Sequence, residues 1–124
     1  MDILLIEPDK VTRDHIKVGL ECFKDFQVEV AEGVSGINRA RQKSYDYILI
    51  GHDAGLQDGQ ECINCLREFD KATAVILVVT TKQAKQFAKE RNKLNIYSFL
   101  SRPVEEKDFF RLVARMRDRS AAKS

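Results

Sequence analysis

The sequence lacks an apolar segment long enough to cross a lipid bilayer. Its longest uninterrupted apolar run is Ala74 to Val79, whereas a membrane-spanning helix needs roughly 20 apolar residues. The opening residues Met1-Asp2-Ile3 do not begin a signal peptide. We therefore expect no membrane association and a cytoplasmic location.

A large excess of charge of one sign is also missing. Lys and Arg total 21 and Asp and Glu total 19, which gives a net charge of +2. This balance argues against nucleic acid as a partner, because such binding relies on a strongly basic surface. Hydrophobic residues at 44% and charged residues at 32% are typical of a globular protein.

Cysteine is scarce, with only Cys22, Cys62 and Cys65. An odd number in a chain of this size does not favour a disulfide framework, so we expect reduced thiols. The Cys62-Ile63-Asn64-Cys65 spacing is half of a zinc or redox motif, but a zinc site needs four ligands and nothing repeats the pair. We expect Cys62 to pack in the core beside Ile63 and Leu66, and a thiol switch is the alternative.

The order of apolar segments predicts alternating strands and helices. Five short apolar runs alternate with five segments of helical periodicity. Because parallel neighbours need crossover connections, this order predicts a doubly wound α/β fold, a five-stranded parallel sheet with helices on both faces. The predicted strands are Ile3–Ile6, Phe26–Ala31, Tyr47–Ile50, Val75–Val79 and Ile96–Leu100. The predicted helices include one that carries Val11, Ile16, Val18, Leu20 and Phe23, then Val34–Gln42, one through Cys62–Leu66, Gln83–Asn92, and Glu105–Arg117 with Phe109, Leu112, Val113 and Met116 facing the core.

The length of 124 residues matches one domain. We expect that domain to span residues 1–118. Residues 119–124 have the composition of a tail or of the start of a linker, and Asp118 to Ser124 is expected to fray.

Ligands of doubly wound sheets bind outside the carboxyl ends of the strands. In this sequence those ends are Glu7-Pro8-Asp9, Gly51-His52-Asp53, Thr80-Thr81 and Ser101-Arg102-Pro103. Together with the Asp58-Gly59 pair, these segments resemble the response regulator receiver family over residues 2 to about 118. The resemblance implies a flavodoxin-like topology and a role in two-component signal transduction.

Receivers hold Mg²⁺ with an acidic pair after the first strand and phosphorylate an aspartate after the third; a hydroxyl and a lysine bind the phosphoryl oxygens. Matched to that pattern, Glu7 keeps one acidic position, and Pro8 replaces the second. Gly51 stands where the phosphoacceptor belongs and offers no nucleophile. Thr80 keeps the hydroxyl, and Arg102 replaces the lysine with a different donor geometry.

The resemblance therefore implies a degenerate phosphorylation site at Glu7, Pro8, Gly51, Thr80 and Arg102. We expect a signalling module that acts through protein contacts rather than an enzyme, with no bound Mg²⁺, no other cofactor and no small-molecule substrate. The expected partners are other signalling proteins or a further output domain, and the expected state is a monomer or a weak homodimer.

A second hypothesis keeps the chain as a working receiver with Asp53 as a displaced acceptor. A shift of two residues in an extended segment moves the carboxylate by roughly 6–7 Å, away from Thr80 and Arg102. We interpret His52 as a loop residue rather than a phosphohistidine. A flavin-binding role is less consistent with the sequence, because Glu7-Pro8-Asp9 lacks the hydroxyl and glycine residues that cradle a phosphate.

Three further expectations concern the last strand and helix. Phe99 resembles the aromatic residue that switches position in receivers, although an ordinary buried aromatic is equally consistent. Arg111, Arg115, Arg117 and Arg119 form either a solvated helix face or a docking surface for an acidic partner, with Phe99, Arg111 and Arg115 as the candidate interaction surface. We also expect a cis bond between Arg102 and Pro103, as the resemblance implies, and a salt bridge from Arg102 to Glu7.

Overall fold

A computed structural model describes residues 1–53 and 55–122. Five parallel strands form one sheet in the order β2-β1-β3-β4-β5. This topology confirms the doubly wound parallel sheet. The strands are β1 (Asp2–Ile6), β2 (Gln27–Val30), β3 (Tyr47–Gly51), β4 (Ala74–Thr80) and β5 (Ile96–Arg102).

Helices cover both faces of the sheet, and three of the predicted helices differ from what the sequence indicated. The first ends at Glu21, so Phe23, which was predicted to lie on it, belongs to the connection to β2. The fourth, predicted at Gln83–Asn92, is a broken segment from Thr81 to Leu94 that ends at Asn95 in the left-handed conformation, with φ 55°. The last helix continues to Ala122, beyond the predicted end at Arg117. The helices are α1 (Lys10–Glu21), α2 (Gly33–Gln42), α3 (Gly59–Arg67), α4 (Thr81–Phe87), a 3₁₀ turn (Ala88–Glu90), α5 (Arg91–Leu94) and α6 (Glu106–Ala122).

Contacts along α6 explain its greater length. Arg117 pairs with Asp25 at 3.1 Å, and the Arg119 guanidinium lies over the rings of Tyr47 and Tyr97 at 5.4 and 5.2 Å. Cation–π contacts of this kind anchor a helix end that composition alone would leave frayed. Of the predicted tail, residues 118–122 are therefore helical, and Lys123 and Ser124 lie outside the described residues.

The strands separate two hydrophobic clusters, because alternate residues of a strand point to opposite faces of a sheet. Ile3 and Leu5 face the cluster that includes α1 and α6, and Leu4 and Ile6 face the cluster that includes α2 and α3. All four predicted core residues of α6 are buried. Val11 and Val18 of α1 are instead 77% and 64% exposed, so only part of that helix's apolar pattern faces the core.

Within residues 1–53 and 55–122, no helix has both the length and the apolar character needed to span a membrane.

Candidate functional site at the carboxyl edge of the sheet

Strand register brings the predicted site residues to one edge. Ile6 pairs with Ile50, so Glu7 and Gly51 follow side by side. On the other side of β3, Thr80 pairs with Arg102. The carboxyl ends of parallel strands share one edge, and this register therefore places Glu7, Gly51, Thr80 and Arg102 around one site.

The Glu7 side chain occupies the space above Gly51. A Cβ atom built at Gly51 would lie 1.4 Å from Glu7 Oε2 and 2.5 Å from Glu7 Cδ. No side chain can be present at position 51 while Glu7 stays where it is. The carboxylate from β1 thus fills the volume that a longer residue at the end of β3 would otherwise need.

Arg102 and Glu7 form the predicted salt bridge. Arg102 Nη2 lies 2.5 Å from Glu7 Oε1, with 14% of the Arg102 side chain and none of the Glu7 side chain exposed. The guanidinium also donates through Nη1 to the His52 carbonyl at 2.9 Å. Its donors thereby connect the ends of β1, β3 and β5. The Arg102-Pro103 bond is cis, as expected.

Burial governs the charge state of Glu7. Removal from solvent raises the pKa of this carboxyl to about 7, and attraction to Arg102 opposes the shift without cancelling it. Arg102 compensates only part of the burial, because Glu7 Oε2 is buried and has no hydrogen-bond partner among the described residues. The pair is therefore a buried ion pair with incomplete compensation.

Thr80 uses its hydroxyl to start α4. Its Oγ1 accepts a hydrogen bond from the Gln83 N–H at 3.1 Å, and the Thr80 N–H donates to Gln83 Oε1 at 2.9 Å. These two bonds form a capping box. The predicted hydroxyl is at the expected strand end, and its oxygen serves as a helix cap.

The acidic residues near β1 do not fit a magnesium site. Glu7 is paired with the guanidinium of Arg102, so this carboxylate already has a cationic partner. Asp9 caps α1 by accepting from the Thr12 N–H and hydroxyl, and these bonds hold the pKa of Asp9 below its ordinary value. Among the described residues, no group of three or more His, Cys, Asp or Glu side chains is placed to hold a metal ion, whereas Mg²⁺ demands near-octahedral oxygen ligands.

The two other loop candidates have local contacts. Asp53 Oδ1 accepts a hydrogen bond from the Gly55 N–H at 3.0 Å. The hydrogen bonds that Arg102 donates go to Glu7, His52 and Val78 rather than to Asp53. His52 Nδ1 accepts a hydrogen bond from the Gly59 N–H at 3.0 Å. The His52 ring also packs edge-on against a neighbouring aromatic ring, Phe87, with centroids 4.9 Å apart, in agreement with its interpretation as a structural loop residue.

Gln57 belongs to the site although no sequence motif predicted it. Its Nε2 donates to the Gly51 carbonyl at 2.6 Å and to the Ile6 carbonyl at 3.1 Å. The amide therefore ties the loop after β3 to the ends of β1 and β3. A single polar residue in a polar loop carries no periodicity or motif, so only the fold reveals this role.

The candidate interaction surface lies along β5 and α6. Phe99 is half-buried against the core cluster, and with Arg111 and Arg115 it lines a groove of about 630 Å³. Arg115 also donates to Ser98 Oγ at 3.1 Å. Arg117 and Arg119 lie elsewhere, against Phe23, Tyr47 and Tyr97, so the four arginines do not form one surface.

The cysteines are free thiols. Cys62 is fully buried with Ile63 and Leu66, which confirms core packing. Burial raises the pKa of the Cys62 thiol to about 11, so this thiol is protonated at neutral pH. Cys65 is partly exposed on the same helix.

Comparison with known proteins gives a consistent family match. The family model described as response regulator receiver domain matches residues 3–114. A probable transcriptional regulator, ycf29 of Porphyra purpurea, is 27% identical over 116 residues, which cover 90% of this chain and 54% of that protein. The chain spans about half the length of this curated relative.

Solved structures show the same fold at low identity. The chemotaxis response regulator CheY4 of Vibrio cholerae has a TM-score of 0.79 at 16% identity, covering 93% of this chain and 97% of its own. A structure from a family of redox sensors in the streptococci, evolved from two-component response regulators, has a TM-score of 0.80 at 19% identity, covering 98% of this chain and 53% of its own. At these identities the likeness concerns the fold.

Proposed function

This chain belongs to the response regulator receiver family, and we propose that it is a receiver that signals through protein contacts without aspartyl phosphorylation. The observation that carries the proposal is the position of Glu7. Its carboxylate fills the space above Gly51, where a phosphoacceptor side chain would have to lie. The site offers neither a nucleophile at the end of β3 nor room for one.

The surrounding charges support the same proposal. Arg102 donates through Nη1 and Nη2 to Glu7 and to backbone carbonyls, so the cation that would meet an incoming phosphoryl group already has a carboxylate partner. Asp9 and Thr80 serve as helix caps. The site is therefore a set of structural contacts that hold one arrangement of the strand ends.

Partner binding is proposed at the groove formed by β5 and α6. Phe99 supplies a half-buried aromatic ring, and Arg111 and Arg115 outweigh the single carboxylate of Asp108 in the groove wall. This combination suits an acidic partner with an apolar anchor, because aromatic and arginine side chains contribute strongly at interfaces. We propose other signalling proteins or an output domain as the partners, with the chain as a monomer or a weak homodimer in the cytoplasm.

The proposal on phosphorylation is tested by mass. Incubation with a small-molecule phosphodonor and Mg²⁺, followed by intact-mass measurement, should show no phosphoryl adduct, whereas a receiver with the usual aspartate serves as the positive control. The Asp53→Asn variant is measured alongside. An adduct on the wild-type chain that Asp53→Asn loses would establish Asp53 as a displaced acceptor and would overturn the proposal.

The proposed partner surface is tested by charge reversal. Proteins captured by the immobilised wild-type chain are compared with those captured by the variant Arg111→Glu with Arg115→Glu. The control variant, Lys24→Glu with Lys71→Glu, changes the net charge equally at two exposed positions away from the groove. We expect a partner lost only from the arginine variant, and equal losses from both variants would argue against this surface.

A further inference from the structure

Helix α1 carries an apolar stripe on the face that it turns to solvent. Val11 and Val18 are 77% and 64% exposed. His15 and Cys22, the residue after the helix end, are also exposed, and their spacing places all four side chains in one line. We call Val11, His15, Val18 and Cys22 the stripe. The helix meets the core with another face, which carries the buried residues Thr12, Ile16 and Leu20.

A row of charges with alternating sign runs beside the stripe. It consists of Lys10, Asp14, Lys17 and Glu21, and each of these residues directly precedes a member of the stripe. Lys17 and Glu21 form a salt bridge at 2.9 Å, and their side chains remain 40% and 47% exposed. Both charged groups are therefore still accessible to a partner. Because the signs run plus, minus, plus, minus, the row is complementary to itself when one copy is reversed.

An antiparallel second copy of α1 satisfies this complementarity. A two-fold axis that passes between His15 and Ile16 places Lys10 of one copy at the level of Glu21 of the other. The same axis places Asp14 at the level of Lys17. Charges that flank the seam of two packed helices select the orientation of the partner in this way. A parallel copy would bring like charges together, which is unfavourable.

The same axis also interlocks the two stripes. Val11 of one copy lies at a level midway between Val18 and Cys22 of the other, so its side chain enters a gap rather than meeting another side chain head-on. This packing removes the exposed valines from water. A contact made by one helix from each copy is smaller than a standard interface. We therefore expect a weak dimer.

We propose that α1 is the contact surface of a homodimer, in which the stripes of two copies pack antiparallel and their charged rows pair. A two-fold contact uses the same surface on both copies, so assembly stops at the dimer. The inference deepens the proposed function by naming the surface of its weak homodimer. It involves no group of the strand-end site and no phosphodonor, so its failure would leave the proposal of signalling without phosphorylation untouched.

The dimer is tested first by concentration. Sedimentation equilibrium of the whole chain under reducing conditions should show a monomer–dimer equilibrium with a Kd of about 0.1–1 mM. Amide resonances of α1 should shift with concentration over the same range, and the resonance of Lys71 should not. A chain that remains monomeric up to about 1 mM would overturn the proposal.

Charge exchange tests the row. Lys10→Glu should weaken dimerisation roughly fivefold or more, because two attractive contacts become repulsive. Lys10→Glu combined with Glu21→Lys exchanges the signs and should recover most of the affinity. Lys71→Glu, an exposed change outside α1, is the control. A dimer that Lys10→Glu leaves unchanged, or that the control weakens equally, would place the contact elsewhere and contradict the proposal.

Cross-linking tests the register. In a Cys22→Ser background, His15→Cys places a thiol beside the two-fold axis, so mild oxidation should link two copies rapidly. The native Cys22 thiols would lie roughly 20 Å apart along the antiparallel helices, so the wild-type chain should link much more slowly. Equally rapid linking through Cys22 would indicate a parallel contact and overturn the proposed arrangement. Both positions are exposed, so these changes leave the core intact.

Discussion

Gly51 is the residue whose missing side chain shapes the site most. The change Gly51→Ala adds a methyl group where a Cβ atom would meet Glu7 Oε2 at 1.4 Å and Pro8 Cδ at 2.9 Å. Either Glu7 leaves Arg102 or the backbone shifts, so we expect the free energy of unfolding to fall by about 1–3 kcal/mol. Chemical denaturation of the variant and of the wild-type chain measures this difference.

Gly55→Ala is the matched control for that variant. Its new Cβ would find Asp53 Oδ1 as its nearest neighbour at 3.7 Å, an ordinary contact. We expect its stability to stay within about 0.5 kcal/mol of wild type. If Gly51→Ala were as stable as Gly55→Ala, the placement of Glu7 above Gly51 would be wrong.

The buried Glu7 carboxyl should also make stability depend on pH. Its folded-state pKa is raised to about 7 from an ordinary value of 4.5, first because of burial. The folded state therefore binds this proton more tightly than the unfolded state, and stability falls as pH rises from about 4.5 to about 7. The loss from this one group is at most roughly 3–4 kcal/mol, since one pKa unit corresponds to about 1.4 kcal/mol.

Glu7→Gln isolates this effect, because the amide keeps the shape and does not titrate. Free energies of unfolding are measured for both proteins at several pH values across that window. We expect the stability of the variant relative to wild type to increase with pH. A constant difference between the two proteins over the whole window would show that Glu7 is not the group responsible.

The sequence could predict part of this site, for reasons visible at single residues. Glu7 and Arg102 each follow a buried strand, and parallel strands bring such ends together, so their pairing could be foreseen. The position of Glu7 above Gly51 could not, because it depends on a side-chain rotamer and on empty volume. Gln57 was missed for a similar reason, since its contact with the Gly51 carbonyl depends on the loop conformation and its other partner, the Ile6 carbonyl, lies far away in the chain.

At the scale of elements, the start of α4 depends on Thr80. Thr80→Ala removes the oxygen that accepts from the Gln83 N–H, and the loss of such a cap costs about 1 kcal/mol. Thr80→Ser keeps the oxygen and should remain close to wild type. Thermal or chemical unfolding of the two variants checks this, and equal stability of the alanine and serine forms would mean that the hydroxyl does not act as a cap.

The elements themselves were largely predictable, and their ends were not. Short apolar runs located four strands to within a few residues, because the interior of a parallel sheet demands continuous apolar side chains. The edge strand β2 is only partly buried, and alternation of apolar and polar residues located it. The end of α6 depends on the contact of Arg119 with Tyr47 and Tyr97, which only the fold brings together. The fourth helix is broken by the 3₁₀ turn at Ala88–Glu90 and ends at Asn95 in the left-handed conformation, and helical periodicity reports neither feature.

For the whole molecule, the family fold is intact while the groups at its carboxyl edge are rearranged. Both core clusters surround the sheet, so Pro8, Gly51 and Arg102 are compatible with the receiver architecture. Function resides in the site rather than in the fold, so the proposal that this chain acts without aspartyl phosphorylation depends on the strand ends. Rebuilding the strand ends on this fold tests that proposal.

The last prediction is that Gly51→Asp alone does not restore phosphorylation. The new carboxylate must compete with Glu7 for the same volume, Pro8 still withholds a second carboxylate, and the charge of an incoming phosphoryl group stays unneutralised. The guanidinium of Arg102 is also bulkier than the ammonium of a lysine, and its hydrogen-bond donors point in different directions. The single variant should therefore show no phosphoryl adduct above wild type after treatment with phosphodonor and Mg²⁺.

The combined variant Pro8→Asp, Gly51→Asp and Arg102→Lys should react well beyond the sum of the single changes, because groups that act as a unit are non-additive. In this variant the lysine no longer offers the guanidinium that pairs with Glu7, so Glu7 is free to move away from position 51. The intact masses of wild type, the three single variants and the triple variant are compared under the same conditions. If Gly51→Asp alone were modified as readily as the triple variant, Pro8 and Arg102 would have no part in keeping the site silent, and the missing aspartate would be the whole cause.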